Sequence, residues 1–286
     1  MSRFSSCFKE GLWVWLAGLM IAATCGVCAA AEPDAWEQKA LDGDIFAQHS
    51  LGLLYSEGRS VPQDFKAAAR WFRLAARQGY PYSQYDLGVL YETGQGVARN
   101  RRTAIEWYKK AGEQGFATAQ YQLGVLYYDG LGVPQDYKEA ARWFRSAGRQ
   151  GLNAARFNLG LMYENGEGVD NDPVVAAKWY SLAAEQGHAA SQSNLAIMYV
   201  TGDGVSKNYE KALYWFNLSA RQDYGTALYN LGDMYYSGEG VPKDDASAMA
   251  WFQRAADQGS AKAQYRLGLM HEKGHGTRQD FKKALS

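Results

Sequence analysis

The sequence predicts an all-α protein, a solenoid of about seven 36-residue helix-turn-helix units stacked along the chain. Three registers predict it. Leu51, Leu87, Leu123, Leu159, Leu195, Leu231 and Leu267 recur every 36 residues. Trp71, Trp107, Trp143, Trp179, Trp215 and Trp251 keep the same interval, as do Gly58, Gly94, Gly130, Gly166, Gly202, Gly238 and Gly274. Independent positions sharing one period over most of the chain mark a single structural unit, repeated.

The first stretch stands apart from the repeats. Arg3 and Lys9 precede an uncharged apolar run from Gly11 to Val27, followed by Ala29-Ala30-Ala31 and then Glu32-Pro33. A basic start, an apolar middle and a small-residue cleavage site predict a signal peptide over residues 1–31, and a periplasmic or secreted product with no membrane span after cleavage. The alternative is an uncleaved anchor, since the run to Ala31 is about long enough to cross a bilayer. Cys7, Cys25 and Cys28 all fall in this leader, so the mature chain is expected to hold no disulfide, thiol nucleophile or thiolate metal site. With 30 basic and 30 acidic residues among 286, the chain carries no net charge to draw it to nucleic acid.

Residues 32–44 read as a half repeat capping the front, with Trp36 standing 36 residues before Phe72. Residues 45–286 hold the seven copies, the last incomplete. In the third copy, helix A is expected from Ala117 to Asp129, with Ala119, Leu123 and Tyr127 as one apolar stripe. Gly130 ends it, because glycine adopts the left-handed position after a helix at least cost. Helix B begins after Asp136, an N-cap matched by Asp64, Asn100, Asp172, Asn208, Asp244 and Asp280. Pro173, directly after Asp172, suits the first helical position. Ala140, Trp143, Phe144 and Ala147 form its buried stripe. Gly124 and Ala140 are expected to remove bulk where the two helices cross, with the tryptophan filling the adjacent space. Three copies depart from the pattern, at four positions: Ser60 replaces a loop glycine, Ala196 the helix A glycine, Asp223 a closing glycine and His271 a helix A tyrosine.

The unit A-x-x-Q-Y-x-L-G-x-x-Y-x-x-G-x-G-V-x-x-D-x-x-x-A-x-x-W-[FY]-x-x-A-A-x-Q-G resembles the Sel-one-like repeat, a relative of the tetratricopeptide repeat; its third copy opens Ala117-Thr118-Ala119-Gln120-Tyr121-Gln122-Leu123-Gly124. The resemblance covers essentially the whole mature chain. It implies a right-handed α/α superhelix with helix A on the concave side, and adaptor work in envelope signalling, exopolysaccharide regulation or host contact. A secreted branch of the family, staked by a disulfide in each repeat, is associated with β-lactam binding. This chain lacks those cysteines, and that activity is not carried over.

By the same analogy, the inner face should carry one row through Asp86, Gln122, Asn158, Asn194 and Asn230, whose polar groups could pair with an extended peptide backbone. A row of Tyr85, Tyr121, Phe157, Tyr229 and Tyr265 recurs in register and reads as packing between copies. Glu92, Tyr128, Glu164 and Tyr236 belong to a more variable row, and tyrosine combines large contact area with a polar tip. The expected partner is therefore a protein or peptide. Charge is uneven: residues 45–152 hold 14 basic and 9 acidic side chains, residues 153–260 hold 7 and 13.

Signs of catalysis are weak. His271-Glu272-Lys273-Gly274-His275 matches the zinc-protease H-E-x-x-H, but that motif needs both histidines on one continuous helix, and Gly274 is the residue expected to end helix A. The G-x-G-V segments follow no strand and lack the Lys-Ser/Thr ending of a phosphate loop. No catalytic, cofactor or metal residue is assigned, and the chain is read as a scaffold and not an enzyme. The alternative is an envelope hydrolase or a glycan- or β-lactam-binding protein.

Overall fold

Each copy folds as the helical pair that its punctuation dictates. A computed structural model describes residues 33–284, which form fifteen helices and no strand. The expected leader and its three cysteines lie outside the described residues. The front helix is α1 (Pro33–Leu41). The A helices are α2 (Ile45–Glu57), α4 (Pro81–Thr93), α6 (Ala117–Asp129), α8 (Asn153–Asn165), α10 (Ala189–Thr201), α12 (Gly225–Ser237) and α14 (Ala261–Lys273). The B helices are α3 (Phe65–Arg77), α5 (Arg101–Glu113), α7 (Tyr137–Arg149), α9 (Pro173–Ala184), α11 (Tyr209–Ala220), α13 (Asp245–Asp257) and α15 (Phe281–Ala284). Two compact units divide the chain, the first ending at Asn100 and the second beginning at Arg101.

Caps and stops stand where local chemistry puts them. Gly130 adopts φ 69° and donates its N–H to Leu126 O, closing α6. Asp136 accepts the Glu139 N–H at 3.0 Å, and Asp64, Asp172, Asn208 and Asp244 cap their helices in the same way. Asp280 accepts the amides of Lys282 and Lys283, starting α15. Two of the departures keep the glycine conformation without glycine: Ser60 sits at φ 61° and Asp223 at φ 54°.

Inside each unit, the two aromatic residues of helix B divide the work differently from the sequence expectation. Phe144, not Trp143, lies over Gly124: a Cβ added to that glycine would stand 2.5 Å from the ring. Trp143 instead packs one copy back, where a Cβ on Gly112 of α5 would lie 3.2 Å from its indole. Trp179 repeats the arrangement against Gly148, at 3.4 Å. The phenylalanine thus closes a copy and the tryptophan joins it to its neighbour. In the first unit, Ala40, Ala47, Leu51 and Trp71 form a core cluster with Trp36 of α1 packed against it, which covers the front of the first copy.

A row of glutamines adds a second join. Helix B ends with carbonyls that have no partner within the helix. Gln120 sends its amide to Gly112 O at 2.8 Å, and its own oxygen accepts from Gln150 Nε2 at 2.8 Å. Gln48 and Gln192 do the same for Ala40 O and Ala184 O, each at 3.0 Å. Where the pattern breaks, arginine takes over. Arg156 Nε donates to Gly148 O at 2.9 Å. Buried Leu228 stands where the sixth copy would carry its glutamine, and Arg254 there reaches Ala220 O at 3.0 Å.

Candidate functional site

The candidate residues all lie on A helices, because the B helices supply most of the large buried rings and the A helices present a polar edge between their buried leucines. In the first unit, α4 carries Asp86 and Glu92, both half-buried. Asp86 lies 3.7 Å from His49 Nδ1, with side-chain exposures of 27% and 13% respectively. Burial pushes the Asp86 carboxyl up to about 7, and the nearby Glu57 adds to it. Burial also holds the His49 ring neutral, down to about 4. Ser83 Oγ stands 3.0 Å from the same Nδ1. Serine, histidine and aspartate are therefore neighbours, but both partners address one ring nitrogen. A nucleophilic relay needs them on opposite nitrogens, so this cluster cannot pass a proton from serine toward aspartate.

In the second unit, Gln122, Asn194 and Asn230 are half-buried on α6, α10 and α12, while Asn158 on α8 is 5% exposed. Among the described residues, the side-chain amides of Asn158, Asn194 and Asn230 have no hydrogen-bond partner. Yet none of their polar atoms is sealed off from solvent. Three consecutive copies thus carry an unpaired amide at one register position, half-buried at Asn194 and Asn230 and nearly covered at Asn158.

The variable row is more engaged than its variability implies. Tyr128 is 7% exposed and donates its hydroxyl to a Glu167 carboxylate oxygen at 2.6 Å. Burial and that carboxylate hold its phenol well above the usual range. Its ring meets Tyr137 of the same copy at 4.9 Å between centroids, and its bond to Glu167 joins the third copy to the fourth, so Tyr128 offers little free surface. Glu164 accepts a hydrogen bond from Tyr180 Oη at 2.6 Å. Tyr236 is half-buried, with its hydroxyl 3.3 Å from His275 Nδ1 and with Lys243 and Arg266 near its ring, at 5.4 and 5.6 Å. Sequence reasoning also passed over His188, whose half-buried ring caps α10 by accepting the Ser191 N–H at 3.3 Å.

The H-E-x-x-H segment is not a metal-binding helix. Its helix stops at Lys273, Gly274 turns at φ 71°, and His275 lies beyond the turn against Tyr236. The G-x-G-V segments are turns after A helices. Among the described residues, no helix is long and apolar enough to cross a membrane.

The Sel1 repeat model matches residues 45–80, 81–116, 117–152, 153–188, 189–224, 225–260 and 261–286. Among solved structures, the chain is similar to c5321, described as a protective antigen present in uropathogenic Escherichia coli strains displaying an SLR fold. Identity there is 39% and the TM-score 0.83, over 90% of this chain but 55% of that one. This chain thus spans about half the length of that relative. It is also similar to a Sel1 repeat protein from Oxalobacter formigenes, 34% identical with a TM-score of 0.73, over 91% of this chain and 77% of that one. No curated protein matches the chain. Seven matched repeats, and the helical pairs that realise them, make this chain a member of the Sel1 repeat family.

Proposed function

We propose that this chain is an exported scaffold, periplasmic or secreted, that binds an extended segment of a protein partner along the A helices of its second unit. Sel1 repeats generally mediate protein–protein interaction. The observation that carries the finer reading is the row of unpaired amides, half-buried at Asn194 and Asn230 and nearly covered at Asn158. An extended peptide offers N–H and C=O groups along its length, and each asparagine side chain supplies both a donor and an acceptor. The surplus of 13 acidic over 7 basic residues across positions 153–260 favours a partner with basic character, whose association slows as salt rises. Export rests on the leader pattern from Arg3 to Ala31, and a relative described as a protective antigen accords with it.

The test uses the full chain to capture a partner from the cell envelope by cross-linking, then compares wild type with the combined Asn158→Ala, Asn194→Ala, Asn230→Ala variant. Loss of three amide pairings should weaken the recovered complex about tenfold or more. Helix content and unfolding midpoint should stay unchanged, since these amides hold nothing within the described residues. Equal affinity in the triple variant would remove the amide row from the binding face. The first residue of the purified protein tests export: cleavage places it near Glu32.

A further inference from the structure

The copies serve as controls on one another, because a register position with one role in every copy shows by its other occupants what the fold requires. The second residue of helix A is Phe46 in the first copy and Tyr82 in the second. It is Thr118, Ala154, Ala190, Thr226 and Lys262 in the rest. The fold accepts alanine there, so neither ring is demanded by packing. Both are costly to leave in water, yet Phe46 is 65% exposed and Tyr82 40%.

Tyr80 joins them into one cluster, 5.5 Å from Phe46 and 5.2 Å from Tyr82 between ring centroids. His49 lies beneath, 5.1 Å from Tyr80 and 6.1 Å from Tyr82. Asp86 stands 3.7 Å from His49 Nδ1, and burial, with Tyr82 and Asp86 nearby, holds the Tyr80 phenol up. The carboxyl lacks an answering charge: its neighbour His49 is neutral, and Glu57, whose own partner is Arg59 at 2.9 Å, pushes against it. A cation seated over the rings would meet their negative faces and the carboxylate together.

We propose that the Phe46–Tyr80–Tyr82 cluster and Asp86 form a docking site for an arginine side chain of a protein partner. A guanidinium fits better than an ammonium, because it is planar, stacks on rings, forks onto a carboxylate and sheds water more readily. The site lies wholly in the first unit and is independent of the asparagine row.

The probe is an acetylated, amidated Gly-Arg-Gly peptide, titrated into the full chain with the His49 and tyrosine ring resonances followed by NMR. Its control carries citrulline, the neutral isostere of arginine. The arginine peptide should give saturable shifts, and the citrulline peptide should bind about fivefold more weakly. Asp86→Asn and the Phe46→Ala, Tyr82→Ala pair should each weaken arginine binding about fivefold or more. The ring pair should keep the wild-type unfolding midpoint, since alanine serves at Ala154 and Ala190, and it decides the matter if Asp86→Asn fails to fold. The asparagine triple variant should bind the peptide as wild type does. Equal affinity for citrulline, absence of saturable shifts, or binding indifferent to the loss of both rings would each overturn the proposal.

Discussion

Gly124→Ala tests the close approach that sets the spacing within a copy. The added methyl would stand 2.5 Å from Cδ1 and Cε1 of Phe144, a ring with no exposed surface. Carbon atoms rest at about 3.5–4.0 Å, so ring or helix must move by about 1 Å. Such crowding in a packed core costs about 1–3 kcal/mol, while replacing a mid-helix glycine by alanine returns about 1 kcal/mol. The balance is a net loss of about 1 kcal/mol in the wild-type background. In Phe144→Leu the ring is gone, and the same substitution should become neutral or stabilising by up to about 1 kcal/mol. The fifth copy carries the methyl natively: Ala196 and Phe216 are both buried in one core cluster built around it. Ala196→Gly should therefore destabilise by about 1 kcal/mol, so the two sites respond to opposite changes with the same sign. Urea unfolding followed by both far-ultraviolet circular dichroism and tryptophan fluorescence measures the cycle, the two probes guarding against stepwise melting of a repeat array. If Gly124→Ala stabilises the otherwise wild-type chain by about 1 kcal/mol, helix propensity alone is at work and the close-approach argument fails.

Other outcomes follow from backbone strain and burial. Ser60→Gly should raise stability by up to about 1 kcal/mol in the same urea assay, because an exposed serine holds φ 61° where glycine has no penalty. Asp223→Gly, at φ 54°, should gain less, since it also removes the 2.7 Å contact to Arg254. Acid should weaken the fold through His188, whose half-buried ring is held down to about 4 by desolvation and accepts a backbone N–H. Below the ordinary histidine value of about 6.5 the unfolded chain takes a proton that the folded ring refuses, so stability falls as pH drops from about 6.5 toward 4, by about 2–3 kcal/mol. His188→Asn should flatten that part of the pH–stability curve, and an unchanged slope would show that His188 does not carry it. Asp86 works in the opposite direction over the same range, because its raised carboxyl binds a proton in the folded state first.

Much of the fold is legible in the sequence because its signals are local. The bounds of α6, the Gly130 stop and the Asp136 cap are decided by residues within a turn or two of one another, and the period repeats the decision in each copy. The broken H-E-x-x-H helix is legible for the same reason, since Gly274 ends it wherever the rest of the chain goes. Contacts between copies are another matter. That Phe144 covers Gly124 while Trp143 crosses to Gly112 depends on which helix stands beside each ring, and the sequence places the two aromatics side by side without distinguishing them. Variation along the row of Tyr128 and Tyr236 looked like a free binding surface. Both side chains, however, meet a loop residue 39 positions later, Glu167 for Tyr128 and His275 for Tyr236. Conversely, Asn158, Asn194 and Asn230 could be placed in register from sequence, but only packed neighbours determine that their amides stay unpaired. Local backbone chemistry wrote the helices and their ends; the tertiary structure decided which side chains the neighbouring copies claim, because that depends on distances between residues thirty or more positions apart.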